Sequence, residues 1–526
     1  MHWIDQKAES LKERSEPQTV ASGISISGHI HIGHSKDVFI ADAVTKALNE
    51  RNVEARTVWY ADDIDPMRRI PHPLSEEEYE EYLGMPYCEI PSPDENHESF
   101  VDYFSEPFLE ALPSFGIEPE IYHSSEMYRE GKLVEEIETA LKNTDKIKKI
   151  LDQYRSEPLS DDWIPYDPIC ENCGRIATTK AFDWEEGYVH YRCEGADYVE
   201  GCGHEGKADY TKGEGKLTWR VEWPARWHKL GVTCEPFGKD HAADGGSYDT
   251  GKEIAKKVYD IEPPEPVPYE WFSLKGEPMS SSKGQVFTLK QWLEVAEPEL
   301  LRYLLFRSKA MKAVDFDPRI PLLQLYQEYT DLESFYYGED QDVPESRREQ
   351  KKRIYELSQT GEVYDGKPER IPIRLATIMI QVARDKDHAL KILKRKGVLE
   401  DLETWEEDLA IKRLERAKKW VEKYAPESEK LEVLQELSGD IRDKLSEKQK
   451  SCLLELAKEL ENKDYGPVEI HNRIFELSEE KDMEPVEVFQ SIYLALLGEE
   501  HGPRAGNFLT ALEDDFVVER FREAAE

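Results

Sequence analysis

The chain has 526 residues and a formal net charge of −41, from 110 Asp and Glu against 69 Lys and Arg. That length exceeds one hydrophobic core and predicts two to four domains. The absence of any run of about 18 apolar residues, and of an apolar stretch behind Met1-His2-Trp3-Ile4-Asp5, excludes a membrane span and an export signal, so a cytoplasmic location is expected. The acidic excess argues against a polyanionic partner, or else is a solubility adaptation to a salt-rich cytosol, where screening acts over roughly 3 Å at 1 M. Its even spread along the chain favours the second.

Residues 1 to about 85 read as an α/β unit. A strand near Thr19 to Gly23 leads into the small-residue run from Ser22 to His34. An amphipathic helix follows from Ser35 to Asn49 with Ile40, Val44, Ala47 and Leu48 on one stripe, and Glu54 to Tyr60 forms a second strand. Gly23, Gly28 and Gly33 permit close backbone approach, and the helix N-terminus would point its free N–H groups back at the loop, a geometry that attracts a phosphate. Asp62, Asp63, Asp65, Arg68 and Arg69 arrive at the C-terminal end of the second strand, where open α/β sheets bind their ligands.

From about 86 to 165 proline-rich turns and two helical stretches read as an insertion, with Asp94, His97 and Asp102 as surface polar residues. Between 166 and 215, Cys170-x2-Cys173 followed by Cys193 and Cys202 has the spacing of a closed tetrahedral zinc site, structural because four thiolates leave no open position. His204 is an alternative to Cys202 as fourth ligand. Cys88, Cys234 and Cys452 complete an odd total of seven cysteines, which argues against a disulfide framework. The sheet resumes in an aromatic and charged stretch (Trp219, Glu222, Trp223, Arg226, Trp227) and a strand from Gly231 that ends in the polar tip Lys239-Asp240-His241. A helix is expected over Gly251 to Asp260. Val267 to Trp271 then leads to the loop Met279-Ser280-Ser281-Ser282-Lys283-Gly284, a cation among hydroxyls suited to transient phosphate charge.

Taken together, His31-Ile32-Gly33-His34 and the Met279 to Lys283 loop, separated by an inserted zinc module, resemble the paired signatures of class I aminoacyl-tRNA synthetases. Ala21-Ser22-Gly23 with Ser27-Gly28, Trp223-Pro224-x-Arg226-Trp227, Glu235 to His241, Ser280 to Lys283 and Gly502-Pro503-Arg504-Ala505-Gly506 are similar to the archaeal-type class I lysyl-tRNA synthetases, nearly end to end. The resemblance implies a Rossmann-like α/β catalytic domain with a zinc-containing insertion and an all-α C-terminal tRNA-binding region. It implies activation of L-lysine by ATP with Mg2+, transfer to tRNA(Lys), and a structural Zn2+. It also assigns roles. His31 and His34 contact the phosphates, Gly33 keeps the adenine floor open, and Lys283 binds the leaving pyrophosphate with Ser280, Ser281 and Ser282 around it. Asp240 and His241 face the ribose or adenylate. Gly23, Ser25, Glu222 as counter-charge, and Trp219 and Tyr269 as walls form the lysine pocket. Two departures stand out: Pro278 replaces a lysine of the usual motif, leaving that phosphate contact to Lys275, and Ser92, Asn96 and Tyr103 occupy positions where relatives carry further metal ligands, against a second zinc. Another class I synthetase, or a non-catalytic RNA-binding relative, are the alternatives.

The resulting division is 1–85 and 216–311 for the two catalytic halves, 86–215 for the insertion and 312–526 for the helical region. In that region Leu375, Ile378, Met379 and Val382, and Leu453, Leu456 and Leu460, mark amphipathic helices. Lys391, Lys394, Arg395 and Lys396 close one helix before Gly397 and are the expected RNA backbone contact.

Overall fold

A computed structural model of the chain describes residues 1–14, 17–281, 284–339, 344–400 and 402–526. Two compact units emerge, one of residues 1–291, 301–316 and 343–362 and the other of 292–300, 317–342 and 363–526.

The first unit is built on five parallel strands: β1 (Gln18–Ser25), β2 (Ala55–Asp62), β3 (Glu120–His123), β4 (Val232–Gly238) and β5 (Glu265–Tyr269), in the order β5-β4-β1-β2-β3. The chain winds outward from β1 in one direction to β3, then returns through β4 to β5, so the switch point lies between β1 and β4. The run Val-Ala-Ser in β1 and Thr-Val-Trp-Tyr-Ala-Asp in β2 is buried on both faces, as parallel strands require. β3 falls inside the stretch 86–215 that the sequence assigns to an insertion, yet it pairs with β2 from Val58↔Glu120 to Ala61↔His123. Its four residues are too short and too polar for a buried-strand pattern.

The helix Lys36–Asn49 crosses β1, β2 and β4. The expected apolar stripe understates its burial, because every residue from Lys36 to Thr45 is buried, along with Ala47 and Leu48. Asp42 on this helix receives Arg302 Nη1 at 2.8 Å, and the same guanidinium donates to the carbonyls of Phe115 (3.2 Å) and Leu357 (3.0 Å). Beyond residue 312 the strand pattern persists for one more element, Val314–Phe316, which pairs in parallel with Phe272–Leu274. The helix expected over Gly251 to Asp260 spans Ser247–Lys257.

The second unit is helical throughout its described residues, with Ile320–Tyr336, Ile373–Val382, Thr404–Lys423 and Glu447–Leu460 among its longer helices. Arg413 donates to Glu297 (2.7 Å) and to the Ile371 carbonyl (2.8 Å) in its interior, and the neighbouring arginines hold the Glu297 carboxyl down. Gly506 has no room for a side chain: a Cβ there would lie 2.0 Å from the Pro467 carbonyl oxygen, so the glycine sets the close approach of Ala505–Ala511 to Pro467–Glu480.

Arg302 is 1% exposed. Arg302→Ala removes the buried partner of Asp42, leaving it only the half-exposed Lys46 at 3.0 Å, and strips the Phe115 and Leu357 carbonyls of their donor; it is expected to cost about 3 kcal/mol, read as a lowered midpoint in denaturant unfolding of the full chain.

Candidate functional site

The C-terminal ends of β1, β2 and β4 surround a cavity of about 780 Å3. Gly23 and Ser25 of β1, Asp62 of β2, and His241 just past β4 all line it, as do His31 and His34. Met279, Ser280 and Ser281 line it too, next to the histidine loop. Two sequence motifs nearly 250 residues apart therefore meet here, and backbone contacts fasten them: Ile32 N–H donates to the Phe287 carbonyl at 2.8 Å, and the Ser281 hydroxyl to the His29 carbonyl at 2.8 Å. Gly28 makes that approach possible. Its φ is +146°, and a Cβ there would sit 3.0 Å from Ser281 Cβ and 3.1 Å from Pro71 Cβ. Ser282 and Lys283 lie outside the described residues.

The imidazoles of His31 and His34 stack with centroids 3.6 Å apart and planes 24° from parallel. His31 Nδ1 accepts the backbone N–H of Gly33 (3.1 Å) and of His34 (3.3 Å), which leaves Nε2 as the protonated nitrogen of a neutral ring. Burial lowers both pKa values, that of His34 to about 4, and the stacked neighbour lowers His31 further. His31 Nε2 and His34 Nδ1 are buried without a hydrogen-bond partner. Orphaned ring nitrogens on a cavity wall are costly unless a ligand completes them, and neutral N–H donors suit phosphoryl oxygens. Gly33 does not line the cavity; the space beside its Cα is filled by the His31 ring and Met279 Cε, both 3.0 Å from a Cβ position.

Below the cavity lies a dense set of buried charges. Lys216 Nζ, 2% exposed, bonds Asp65 and Glu222 at 2.6 Å each, and Arg226 bonds Asp62 at 2.8 Å while lying 4.2 Å from the Tyr60 ring centroid. Glu222, expected to face a substrate ammonium, is fully buried against Lys216 of its own chain and absent from the cavity wall. On the far side of Gly23, Asp37 accepts backbone N–H groups from Val38 and Gly23; burial pushes its carboxyl up to about 8 and the charge of Glu235 adds to the shift. Burial and the Asp37 charge also raise the Tyr269 hydroxyl. Tyr269 is not on the cavity wall either; its ring lies 5.4 Å from Lys36 Nζ. Trp219 does line the cavity, and Asp240 is exposed, accepting Trp271 Nε1–H at 3.1 Å. Lys275 is exposed and lies off the wall. Asp37 was not singled out from the sequence because it sits mid-pattern in an amphipathic helix, where an acid reads as solvent-facing. Asp62, Asp65, Arg68 and Arg69 carried the usable signal of polar residues at a strand's C-terminal end.

The four cysteines converge. Their sulfurs all lie within 4.8 Å of one another, with Cys170–Cys202 at 3.6 Å and Cys173–Cys193 at 3.7 Å. A tetrahedral ion with Zn–S bonds of about 2.3 Å holds its sulfurs about 3.8 Å apart, so the donor set fits zinc. His204 is engaged elsewhere, bonding Glu171 Oε1 at 2.8 Å, which leaves Cys202 as the fourth ligand. His97 bonds Asp94 at 2.7 Å, and no second metal cluster occurs among the described residues.

Three of the four cations expected to contact RNA are held in ion pairs. Lys396 is buried on Asp514 (2.5 Å), Lys394 pairs with Glu407 (2.6 Å) and Arg395 with Glu513 (3.0 Å), leaving Lys391 as the exposed cation of the group without such a pair. Of the aromatics in the helical unit, Trp420 is 1% exposed and Trp405 stacks on Tyr364 at 4.6 Å.

A parallel sheet with a phosphate-suited histidine pair at its switch point and a second loop closing over it defines a nucleotide-using α/β enzyme of the class I synthetase type. The family model for tRNA synthetases class I (K) matches residues 1–361, and an anticodon binding domain matches 415–525. The chain belongs to the class I (K) tRNA synthetase family. It is 42% identical to the lysine–tRNA ligase of Methanosphaera stadtmanae over 99% of each chain. It is 41% identical to those of Archaeoglobus fulgidus (all of each chain) and Methanocaldococcus jannaschii (99% of each).

Two outcomes follow. Both histidines are neutral in the fold and titrate normally, near 6.5, when unfolded. The unfolded chain therefore binds protons first as pH falls, and the histidines' contribution to stability should be level above pH 6.5 and decline from there towards pH 4. Urea midpoints across that range should fall less steeply for His34→Asn than for the native chain. For the metal, His204→Ala should retain one zinc per chain by elemental analysis, whereas Cys202→Ser should lose most of it.

Proposed function

We propose that the chain is a lysine–tRNA ligase, which activates L-lysine with ATP and transfers the lysyl group to the 3′ end of tRNA(Lys) in the cytoplasm. The observation that carries this reading is the stacked, neutral His31–His34 pair, with unpartnered ring nitrogens, at the switch point of a Rossmann-like sheet. Adenylate formation places charge on the α-phosphate as the lysine carboxylate attacks and pyrophosphate leaves. It requires positioned donors rather than a covalent nucleophile. His31 Nε2–H and the His34 ring supply such donors, Ser280 and Ser281 line the same cavity beside them, and Ser282 and Lys283 bind the leaving pyrophosphate. Magnesium, arriving with the triphosphate, neutralises its charge. His241, with Asp240 beside it, takes the ribose side of the adenylate. Zinc in the four-cysteine site is structural. Lys391 is kept as the RNA backbone contact of its group, while Lys394, Arg395 and Lys396 are held in ion pairs.

For lysine, Gly23 and Ser25 present backbone and hydroxyl groups, and Trp219 a flat wall for the aliphatic stem. The charge set around Gly23 fits a cationic side chain: Asp37, buried just behind the cavity wall at Gly23, is anion-capable, lies close to Glu235 and Tyr269, and is held up at about 8 by burial with the Glu235 charge adding to it. An ammonium placed there would bring its pKa down and gain a charge-assisted bond. Glu222, matched by Lys216, contributes to the field beneath the pocket and not a direct contact.

The test is ATP–pyrophosphate exchange across the twenty amino acids in several molar KCl, because the net charge of −41 fits a halophilic protein whose fold needs screening. Exchange that depends on lysine is expected; dependence on glutamate or cysteine with indifference to lysine overturns the reading. In the same assay Asp37→Asn should raise the KM for lysine roughly 10- to 100-fold, the worth of one charge-assisted hydrogen bond, with the KM for ATP little changed.

A further inference from the structure

The serine loop hangs from a sheet too small to place itself. Phe272–Leu274 pairs in parallel with Val314–Phe316 and antiparallel with Glu277–Pro278, after which the chain turns into Met279, Ser280 and Ser281. Strands of two or three residues hold no core of their own, so the position of the loop is set by what the sheet is tied to. The chain approaches the two parallel strands through Glu270 and through Ala310, and both carbonyls converge on one ammonium. Lys36 Nζ donates to the Glu270 carbonyl at 3.0 Å and to the Ala310 carbonyl at 3.1 Å. Lys36 is 2% exposed and opens the helix behind the histidine loop, two residues beyond His34.

We propose that Lys36 is a positioning residue for ATP, a pin that fixes the sheet of the serine loop against the histidine loop; the proposal rests on the function given above. Local structure gives no reason for a lysine here. An ammonium in the first turn of a helix faces the positive end of the helix dipole, and burying it adds a desolvation cost. Burial brings the Lys36 ammonium down to about 8 against the opposing charge of Glu270, and the Glu270 carboxylate is itself bonded by Lys239 at 2.7 Å. What Lys36 meets is the pair of carbonyls and, at 5.4 Å, the ring of Tyr269, so the cation is held by dipoles and a π-face. The other ties between the two loops, Ser281 to the His29 carbonyl and Ile32 to the Phe287 carbonyl, lie near their tips. Lys36 acts at the base, on both entry points at once. Without it the small sheet can tilt about the tip contacts, which changes the spacing of Ser280 and Ser281 from His31 and His34 and hence the width of the phosphate site. Lys36 does not line the cavity, and Gly23, Ser25 and Trp219, which serve lysine, stand on elements outside this lever.

The test compares the full-length native enzyme with Lys36→Met, which keeps the stem and drops the ammonium, and Lys36→Arg, which keeps the charge and its donors. In pyrophosphate exchange, Lys36→Met should raise the KM for ATP roughly tenfold, the effect of losing one charge-assisted hydrogen bond, and lower kcat, while the KM for lysine stays near the native value. Lys36→Arg should recover most of the loss. Amide hydrogen exchange, which needs no substrate, gives a second reading: in Lys36→Met the segments 270–281 and 310–316 should exchange faster, with β1 and β2 protected as in the native chain. A native KM for ATP in Lys36→Met, or faster exchange spread equally over β1 and β2 in both variants, overturns the proposal. Absence of lysine-dependent pyrophosphate exchange in the native enzyme overturns instead the function on which it rests, and the hydrogen-exchange comparison still decides whether Lys36 pins the sheet.

Discussion

The site depends first on the register of β1. Eight successive pairs, from Gln18↔Ala55 to Ser25↔Asp62, bind it to β2, while β4 holds its other edge at Thr19↔Val232 and Val20↔Cys234. That register brings the end of β1 level with the end of β2, so Gly23 lies against Tyr60 and Ser25 against Asp62. A slip of one residue would turn every side chain of β1 to the opposite face, carrying Ser25 out of the cavity and ending the backbone bond between Gly23 and Asp37. The histidine loop inherits its position from the same strand. It leaves β1 at Ser25, crosses the switch point, and enters the buried helix at Lys36, where Ser35 Oγ ties back to the Ile32 carbonyl at 3.0 Å.

The second constraint is charge balance in a dry floor. Buried Asp62 and Glu222 face Arg226 and Lys216, Asp65 on the cavity wall shares Lys216, and the buried Asp37 and Glu235 lie close by, so acids outnumber bases. Burying ions is expensive, and a buried set short of one cation stays neutral in part or waits for a charged ligand. A pocket for a neutral amino acid has no use for such a set, whereas one for a cationic side chain gains specificity from it, since a ligand without the charge leaves the carboxylates uncompensated.

Much of this arrangement is readable along the chain because it is local. The glycine run, the polar tips of β2 and β4, the cysteine spacing and the serine loop each announce their chemistry within a dozen residues. What sequence reading loses is set by distant partners. Glu222 looks like a free counter-charge until Lys216 is found against it. Lys396 looks like a surface cation, yet its partner Asp514 is 118 residues away. Asp37 is hidden by its helix: an amphipathic pattern assigns acids to water, and a helix buried nearly all round, as Lys36–Asn49 is, breaks that rule. β3 is lost for the opposite reason, since four residues at a sheet edge with an exposed start carry no periodicity to detect.

A strongly acidic protein that binds RNA faces a particular economy. Its lysines and arginines are drawn into internal pairs by the surplus of carboxylates, as Lys394, Arg395 and Lys396 are. Among the cations outside such pairs, Arg68 and Arg69 line the cavity at the switch point, and Arg504 is exposed within the segment matched by the anticodon binding domain. At high salt, counterion release adds little to RNA affinity. Binding must then lean on contacts that salt does not screen, namely stacked bases and shape. The four clustered cysteine sulfurs flank a short hairpin with a two-residue turn that lacks a core of its own, and a zinc ion held there would supply the rigidity the hairpin cannot supply for itself.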